Sequence, residues 1–287
     1  SVLFVNATPV FSDIESETFG LDPNLIEEKI SPATKAVMPM DYGGLSCKIM
    51  EIKNIVKEKN LLLIEDAAEA LGSSVNGKKV GSFSDASIFS FCGNKVLTTG
   101  EGGAVVTNSK PLFEKIKSIR SHGRTDKINY FDNTSESHYL ELGYNWRMSS
   151  ITAALGISQI QKLDKIIKMR QENANYISLN LSKFKEISTP NPPTGSEHIY
   201  QMYTIRLPNK QIRDDLHTHL IKKSIFSKVY FHPIHLTKFY REQLNISAIL
   251  PMTETISEQV LTLPLYPNMT SEEKDYLITS ISEFFES

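Results

Sequence analysis

Residues 64–107 read IEDAAEALGSSVNGKKVGSFSDASIFSFCGNKVLTTGEGGAVVT, and this stretch decides the fold. The run 61–64, Leu-Leu-Leu-Ile, overlaps its start and is continuously apolar, as is typical of a parallel strand covered on both faces. Residues 87–91 and 104–107 are two more strand-like runs, joined by a glycine-rich loop. The pattern predicts an α/β domain with a mostly parallel central sheet.

The residues upstream continue the alternation of strand and helix. Residues 36–40 are a short apolar run, and the turn-forming pair Gly43-Gly44 follows it. The next apolar residues recur at helical spacing and predict one buried helix face: Ile49, Ile52, Ile55 and Val56.

The pattern changes after residue 149. Ser149 or Ser150 is a candidate N-cap of a helix that could run on toward Leu181, long enough to bridge two domains. Apolar residues fall near one stripe of this helix: Ile151, Leu155, Ile160, Leu163 and Ile167. The stretch 188–198, STPNPPTGSEH, then predicts a loop.

Shorter signals fill the remainder of the chain. Residues 202–207 and 225–230 are strand-like, and residues 271–285 are helical. We therefore predict a large α/β domain over residues 1–165 and a small C-terminal α+β domain over residues 166–287.

Composition excludes several classes of function. The 287 residues are 40% hydrophobic and 22% charged, with a formal net charge of −2 and no cluster of Lys and Arg, which argues against nucleic-acid binding. No apolar run is long enough to span a bilayer, so we expect no membrane association. Cys47 and Cys92 form no C-x-x-C motif, and reduced thiols in a cytoplasmic protein are expected. The chain begins at Ser1 directly with a strand-like run, which indicates a partial sequence.

Two residues beside the predicted strand ends are candidates for chemistry. Asp66 follows the strand 61–65, and ligands of open α/β sheets bind at such ends, although capping of a following helix is the stronger interpretation for an acid taken alone. Lys95 lies in the glycine-rich loop, where it could form an imine with a carbonyl cofactor. The alternative is an ordinary solvated lysine.

Three other motifs are rejected. The glycines after Lys95 do not fit G-x-G-x-x-G and precede a strand, so they are not a dinucleotide fingerprint. His232 and His235 flank a proline without nearby cysteines or carboxylates, which favours loop packing over a metal site. Glu65 and Asp66 are adjacent in a strand, face opposite ways, and cannot easily share one substrate.

Taken together, these segments resemble the DegT/DnrJ/EryC1/StrS family of sugar aminotransferases, which depend on pyridoxal phosphate and have fold type I. The central block 64–107 carries the likeness. Three further stretches agree in order and spacing: ATPVFSDIESETFGLDP (7–23), GYNWRMSSITAALGISQIQKLD (143–164) and TLPLYPNMTSEE (262–273).

The resemblance implies a cofactor site. Lys95 matches the lysine that forms an imine with pyridoxal 5'-phosphate, and its presence argues against the related dehydratases, which have histidine there. Asp66 matches the acid that pairs with the pyridinium nitrogen, and Ser90 a serine that binds the cofactor phosphate. Asn145 matches an asparagine that the neighbouring subunit offers to the phosphate, so a homodimer with a shared active site is implied.

Two departures from the family pattern stand out. Glu69 lies where the family often has glutamine beside the cofactor ring, and its side chain is expected to reach the ring hydroxyl. Family members also carry a segment before ATPVF, with a Thr-Ala or Ser-Ala pair that helps hold the phosphate and an aromatic residue that stacks on the ring. We expect this chain to be a form truncated at the N-terminus.

The resemblance implies an activity as well. An amino acid, expected to be glutamate, donates an amino group that passes to a nucleotide-linked keto sugar. The segments DYGG (41–44) and VYFHPIHL (229–236) look most like the subgroup that uses 4-keto-6-deoxy sugars. Precursors of cell-surface polysaccharide or glycan are the expected products. Two alternatives remain open: a catalytically impaired or regulatory family member, and a plain binding domain.

Overall fold

A mixed four-stranded sheet forms the centre of the larger part of the chain. The computed structural model describes residues 1–124 and 139–286. Its central strands lie in the order β1 (Ala36–Val37), β2 (Leu62–Asp66), β5 (Ala86–Ser90) and β6 (Gly103–Val106). The first two neighbouring pairs are parallel and the pair β5–β6 is antiparallel. The predicted α/β class with a mostly parallel sheet is confirmed.

The other elements follow in chain order. Short strands β3 (Ser74–Val75) and β4 (Lys78–Lys79) form an antiparallel sheet with β7 (Ser196–Glu197), and β8 (Tyr203–Arg206) pairs antiparallel with β9 (Val260–Leu263). The helices are α1 (Pro23–Ile26), α2 (Ile49–Glu58), α3 (Lys110–Ile119), α4 (Ser150–Ile160), α5 (Leu163–Leu181), α6 (Lys210–Lys222), α7 (Pro251–Gln259) and α8 (Ser271–Glu286).

The helix α2 covers one face of the central sheet, as its apolar spacing predicts. Its buried residues Ile49, Ile52 and Val56 pack against Val37 and Leu63 of the two neighbouring strands. On the opposite face Leu62 is 55% exposed, so the expectation of a strand covered on both faces is wrong at this position.

A second core lies in the C-terminal part of the chain. It joins the β8–β9 pair to the helices α5, α6 and α8 through side chains that are completely or almost completely buried: Ile177, Leu181, Tyr203, Ile205, Leu216, Leu220, Leu261 and Ile281. The strand expected at 225–230 is reduced to one bridge between Lys228 and Thr262. This arrangement is consistent with a small α+β domain, although the limits of the two domains remain a prediction.

The long helix expected from residue 149 is two helices. Ser149 caps α4 by accepting a hydrogen bond from the backbone of Thr152, as predicted. The helix ends at Ile160, and the backbone N–H of Lys162 turns back to the carbonyl of Gln159 before α5 begins at Leu163. Neither glycine nor proline marks this break, so the sequence gives no local signal for it.

The apolar side chains of α4 are exposed on several sides of the helix, so the expected single buried stripe is wrong there. Ile151 is 85% exposed, Ile157 61% and Ile160 58%, whereas Leu163 and Ile167 of α5 are buried. Exposed apolar side chains in this number are typical of a surface that another chain or segment covers. No helix among the described residues has the length and apolarity needed to cross a membrane.

Candidate active site

The predicted acid and serine lie at the same edge of the central sheet. Asp66 is the last residue of β2 and Ser90 the last residue of β5. These strands are parallel neighbours, with Asp66 in register with Ile88. Ligands of open α/β sheets bind at this carboxyl edge, so the two side chains are placed where a ligand is expected.

Lys95 and Glu69 form a buried ion pair just beyond this edge. The Lys95 Nζ donates a hydrogen bond of 3.1 Å to Glu69 Oε1, and the backbone N–H of Gly43 donates one of 3.0 Å to Glu69 Oε2. The two side chains are only 14% and 6% exposed. The interpretation of Lys95 as a solvated lysine is therefore not supported by its position, because its amine is held inward on a carboxylate.

Asp66 keeps one carboxylate oxygen available. Its Oδ1 accepts a hydrogen bond of 3.1 Å from the backbone N–H of Ala68, whereas Oδ2 accepts none from the residues that the structure describes. Residues 67–73 form turns, so no helix follows that Asp66 could cap. The capping interpretation is therefore wrong, and the local bond orients the carboxylate instead.

Ser90, like Asp66, uses only part of its hydrogen-bonding capacity. Its hydroxyl oxygen accepts a hydrogen bond of 3.3 Å from the backbone N–H of Cys92, and within the described ranges its own proton has no acceptor. A hydroxyl at a strand end with a free proton can donate to an anionic oxygen.

Asn145 does not lie with the other predicted residues in this single chain. It is exposed, makes a backbone bridge with Ser121, and accepts a hydrogen bond of 2.8 Å from Arg147 Nε. The adjacent Trp146 is 65% exposed and stacks on Tyr144 with ring centroids 4.0 Å apart. Asn145 therefore belongs to the exposed apolar region that also includes α4.

A cavity of about 300 Å³ surrounds the ion pair. Its lining combines polar residues, among them Lys95, Glu69 and Asn94, with the largely apolar side chains of Tyr230, Phe231 and the strand β9. A second cavity of about 310 Å³ lies between residues 16–19 and 188–191 and does not include Lys95. We take the first cavity as the candidate site, since Lys95 lines it.

Tyr42 lies close to this cavity. Its hydroxyl donates a hydrogen bond of 3.0 Å to the backbone carbonyl of Tyr230, which lines the cavity. Burial, together with the nearby Glu69 carboxylate, raises the pKa of Tyr42 to about 12. Tyr42 is thus a neutral hydrogen-bond donor at physiological pH and holds the backbone of Tyr230 in place.

Two buried carboxyl groups lie behind Asp66. The backbone N–H of Asp41 donates to the carbonyl of Asp66, and its side-chain Oδ1 accepts from the N–H of Cys47. Glu65 Oε2 accepts hydrogen bonds from Gly81, Ser84 and Ser87.

The second oxygen of each group, Asp41 Oδ2 and Glu65 Oε1, is buried and has no hydrogen-bond partner at normal distance among the residues that the structure describes. Burial and the nearby charge of Glu65 raise the pKa of Asp41 well above its usual range, which favours the protonated form of Asp41 beside Glu65. The expectation that Glu65 and Asp66 do not share a ligand agrees with this geometry, because Glu65 bonds to Gly81, Ser84 and Ser87 and interacts with Asp41, which follows the neighbouring strand β1.

The sequence interpretation missed Gln201 and Arg170. The Gln201 side chain bonds to the backbone on both sides of Lys95, and Arg170 on α5 donates to the carbonyls of Tyr200 and Gln201. Burial lowers the pKa of Arg170 to about 10, which leaves it cationic at neutral pH. These residues lie more than 70 positions from Lys95 in the chain, and no local motif marks them.

The donor set fits pyridoxal phosphate. The group requires a primary amine for its aldehyde, an anionic partner for its protonated ring nitrogen and hydrogen-bond donors for its phosphate. Lys95 has the amine, Asp66 has an unoccupied carboxylate oxygen and Ser90 has an unused hydroxyl proton. All three come from one edge of the sheet and the loop that follows it.

Comparison with known proteins identifies the family. Residues 1–282 match the DegT/DnrJ/EryC1/StrS aminotransferase family. GDP-perosamine synthase of Escherichia coli O157:H7 is 34% identical over 285 residues, which are 99% of this chain and 75% of that protein.

Solved structures agree with this result. Helicobacter pylori PseC, an aminotransferase involved in the biosynthesis of pseudoaminic acid, superposes with a TM-score of 0.92 at 31% identity, covering 99% of this chain and 76% of that one. The putative sugar aminotransferase Spr1654 of Streptococcus pneumoniae, in its PMP form, gives 0.92 at 25% identity, with 99% and 78% covered. The predicted fold type is confirmed. The chain belongs to the DegT/DnrJ/EryC1/StrS aminotransferase family, and it is a sugar aminotransferase dependent on pyridoxal phosphate.

Proposed function

We propose that this chain transfers an amino group from glutamate to a nucleotide-linked 4-keto-6-deoxy sugar, in the synthesis of precursors for cell-surface polysaccharide or glycan. The observation that carries the proposal is the buried Lys95–Glu69 pair inside a cavity at the carboxyl edge of the sheet. The names of the relatives support the sugar class, since GDP-perosamine synthase and PseC both belong to amino-sugar synthesis.

Lys95 is proposed as the catalytic residue. When bound, pyridoxal phosphate supplies an electron-accepting ring that stabilises negative charge on the carbon losing its proton. Lys95 would hold the cofactor through its amine. The same amine would serve as the base that accepts a proton from the bound substrate and gives it back. The side chain of Lys95 is only 14% exposed beside Glu69, so the amine is partly shielded from bulk solvent.

Asp66 and Glu69 are proposed to orient the cofactor ring. The free Oδ2 of Asp66 pairs with the ring nitrogen and holds its proton there. Glu69 is already bound to the Gly43 N–H through one oxygen, so its other oxygen can turn from Lys95 to the ring hydroxyl without moving the backbone.

We further propose a homodimer with a shared site, in the cytoplasm. Ser90 binds the phosphate from its own chain, and Asn145 reaches the phosphate of the second chain. The exposed apolar surface around Asn145 supports this arrangement. It includes Trp146, Tyr144, Ile151 and Ile157, of which three are more than 60% exposed. An apolar surface of this kind is most easily explained by contact with a second copy.

Borohydride reduction of the full-length protein with bound pyridoxal phosphate tests the central assignment. We expect the reduced cofactor on the peptide that contains Lys95, and Lys95→Ala should lose both the label and the transfer of amino groups. Lys48 is a suitable control, because its amine is also paired with carboxylates, those of Glu15 and Glu17. Lys48→Ala should keep the label, and labelling of any lysine other than Lys95 would refute the assignment.

Substrate class is tested separately. The purified protein is incubated with glutamate and nucleotide-linked sugars that carry a ketone at position three or four, and the formation of 2-oxoglutarate is measured. Turnover with the 4-keto-6-deoxy sugar supports the proposal. Exclusive turnover of a 3-keto sugar, or none with either in a chain that is labelled at Lys95, contradicts it.

A further inference from the structure

The carboxamide of Gln201 holds the backbone on both sides of Lys95. Its Nε2 donates a hydrogen bond of 2.8 Å to the carbonyl of Asn94, and its Oε1 accepts one of 2.7 Å from the N–H of Val96. Only this orientation of the amide satisfies both groups, because one is an acceptor and the other a donor. Gln201 is 8% exposed, so water does not readily replace these bonds.

Gln201 is itself held firmly. Its backbone carbonyl accepts a hydrogen bond of 3.0 Å from Arg170 Nη2, and Arg170 Nε donates one of 2.7 Å to the carbonyl of Tyr200. The backbone of Gly44 lies so close that a β-carbon there would be 2.7 Å from the nitrogen of Gln201. Gly44 also has φ +100°, which favours glycine. Arg170 and Gly44 thus hold the backbone of Gln201 in place, and its side chain extends from this fixed backbone to the loop that contains Lys95.

The loop after Lys95 is anchored on the same structure. Val96 and Leu97 are buried against Leu163 and Ile167 of α5 and against Ile199, two residues before Gln201. Lys95 therefore lies between a backbone carbonyl and a backbone N–H that are both fixed, and only its side chain is free to move.

We infer that Gln201 is a positioning residue for Lys95, which fixes the loop so that the amine enters the cavity. The inference rests on the proposed role of Lys95 and adds a residue from the second half of the chain to the site. The amide does not touch the reacting atoms. It acts by holding the peptide groups that flank the lysine, so its loss allows the amine to sample unproductive positions.

Two substitutions of Gln201 test this inference in the full-length protein. Gln201→Met keeps the length of the side chain and removes both hydrogen bonds. We expect hydrogen exchange at the Val96 amide to rise, and covalent attachment of pyridoxal phosphate to Lys95 to slow, each by about tenfold. The exchange is measured without cofactor, so it does not depend on activity.

Gln201→Glu supplies a pH test. A protonated carboxyl can still donate to Asn94 and accept from Val96, whereas a carboxylate places a charge against the carbonyl of Asn94. Acidification should therefore restore the attachment rate of Gln201→Glu and leave Gln201→Met slow. Lys95 and Glu69 line the same cavity and Arg170 binds the backbone of residue 201, so their pH effects are measured in Gln201→Met and subtracted.

Gln259 is the matched control. Its side chain also makes two hydrogen bonds, from Arg206 Nε and to the carbonyl of Pro208, but away from Lys95. Gln259→Met should leave both the Val96 exchange and the attachment rate within twofold of the original protein. The inference is overturned if Gln201→Met does the same. A third outcome separates the two claims. If Gln201→Met speeds Val96 exchange but Lys95 of the original protein never binds the cofactor, Gln201 does hold the loop around Lys95 and the proposed function is overturned.

Discussion

Replacing Asp41 with asparagine should stabilise the folded chain at neutral pH, although Asp41 is completely buried. The Asp41 carboxyl is held in its protonated form by burial and by the charge of Glu65. Asparagine has the same shape and can make the same contacts. Its oxygen accepts from the N–H of Cys47, and its NH₂ group donates to the otherwise unpartnered Oε1 of Glu65.

The pH dependence of this effect follows from the direction of the Asp41 pKa shift. The pKa of Asp41 is raised in the folded chain, so above the unfolded-state pKa of about 4 the folded chain retains a proton that the unfolded chain has lost. The contribution of Asp41 to the free energy of unfolding is therefore fully present below about pH 4. Above that pH it falls by about 1.4 kcal/mol for each pH unit until the folded-state pKa of Asp41 is reached. Asparagine does not ionise, so this loss disappears.

Urea unfolding between pH 4 and pH 8 measures the effect. The difference in unfolding free energy between Asp41→Asn and the original protein should grow with pH at about 1.4 kcal/mol per unit above about pH 4, and level off where the folded-state pKa of Asp41 is passed. Cys47 faces the same carboxyl, and burial raises its thiol pKa well above the usual range, so it does not ionise here. Asp85→Asn is the control, since Asp85 is exposed and accepts a single hydrogen bond from the N–H of Leu63.

An Asp41→Asn variant that is less stable at every pH, with the pH slope of the original protein, would refute the protonated state of Asp41. It would show that Asp41 is ionised in the folded chain and that the amide is a poor replacement. A change of slope in Asp85→Asn as large as that in Asp41→Asn would show that the effect is not specific to the buried pair.

Three further outcomes are expected. Asp66→Asn should keep the covalently bound cofactor yet lower turnover at least about a hundredfold, or about 2.7 kcal/mol of barrier, in a single-turnover assay; near-original turnover would exclude a role at the ring nitrogen. In Glu69→Gln a single acceptor oxygen remains for the two donors, the Lys95 amine and the Gly43 N–H. Urea unfolding without cofactor should therefore show a free energy of unfolding lower by about 1–3 kcal/mol. Unchanged stability would mean that the ion pair contributes nothing to folding. Inactive Lys95→Ala and Asn145→Ala chains, when mixed and allowed to exchange subunits, should regain activity, since each mixed dimer has one intact site; no recovery in a preparation shown to contain mixed dimers would contradict the shared site.

Much of the sheet and its edge could be predicted from local pattern. The apolar run before Asp66 and the glycine-rich loop around Lys95 indicated strand ends correctly, because continuous burial and chain reversal leave clear marks in sequence. The family resemblance then assigned the roles. Those roles remain predictions, and the placement of Asp66, Glu69 and Lys95 near one edge is consistent with them.

Long-range polar contacts could not be predicted. Nothing in the segment around Gln201 indicates that its amide bonds to residues 94 and 96, more than 100 positions earlier. Strand alternation correctly predicted that Glu65 and Asp66 face opposite ways. The carboxyl group that interacts with Glu65 is that of Asp41, which follows a different strand, β1. Such pairs depend on how elements pack, which the order of residues along one element does not reveal.

The helix α5 has a consequence for engineering this protein by recombination. Its first turns, through Leu163 and Ile167, contact the lysine loop, and its later turns, through Ile177 and Leu181, complete the C-terminal core. At about 1.5 Å per residue its 19 residues form a helix about 28 Å long, which packs against the lysine loop at one end and the C-terminal core at the other. A chimera joined with a homologue at residue 165 would graft a foreign helix onto the native lysine loop. A junction in the loop after Leu181 would keep that contact but pair the native helix with foreign strands. Exchange of the C-terminal part should therefore succeed only when the α5 residues that contact the lysine loop and those that complete the C-terminal core are each transferred with their partners.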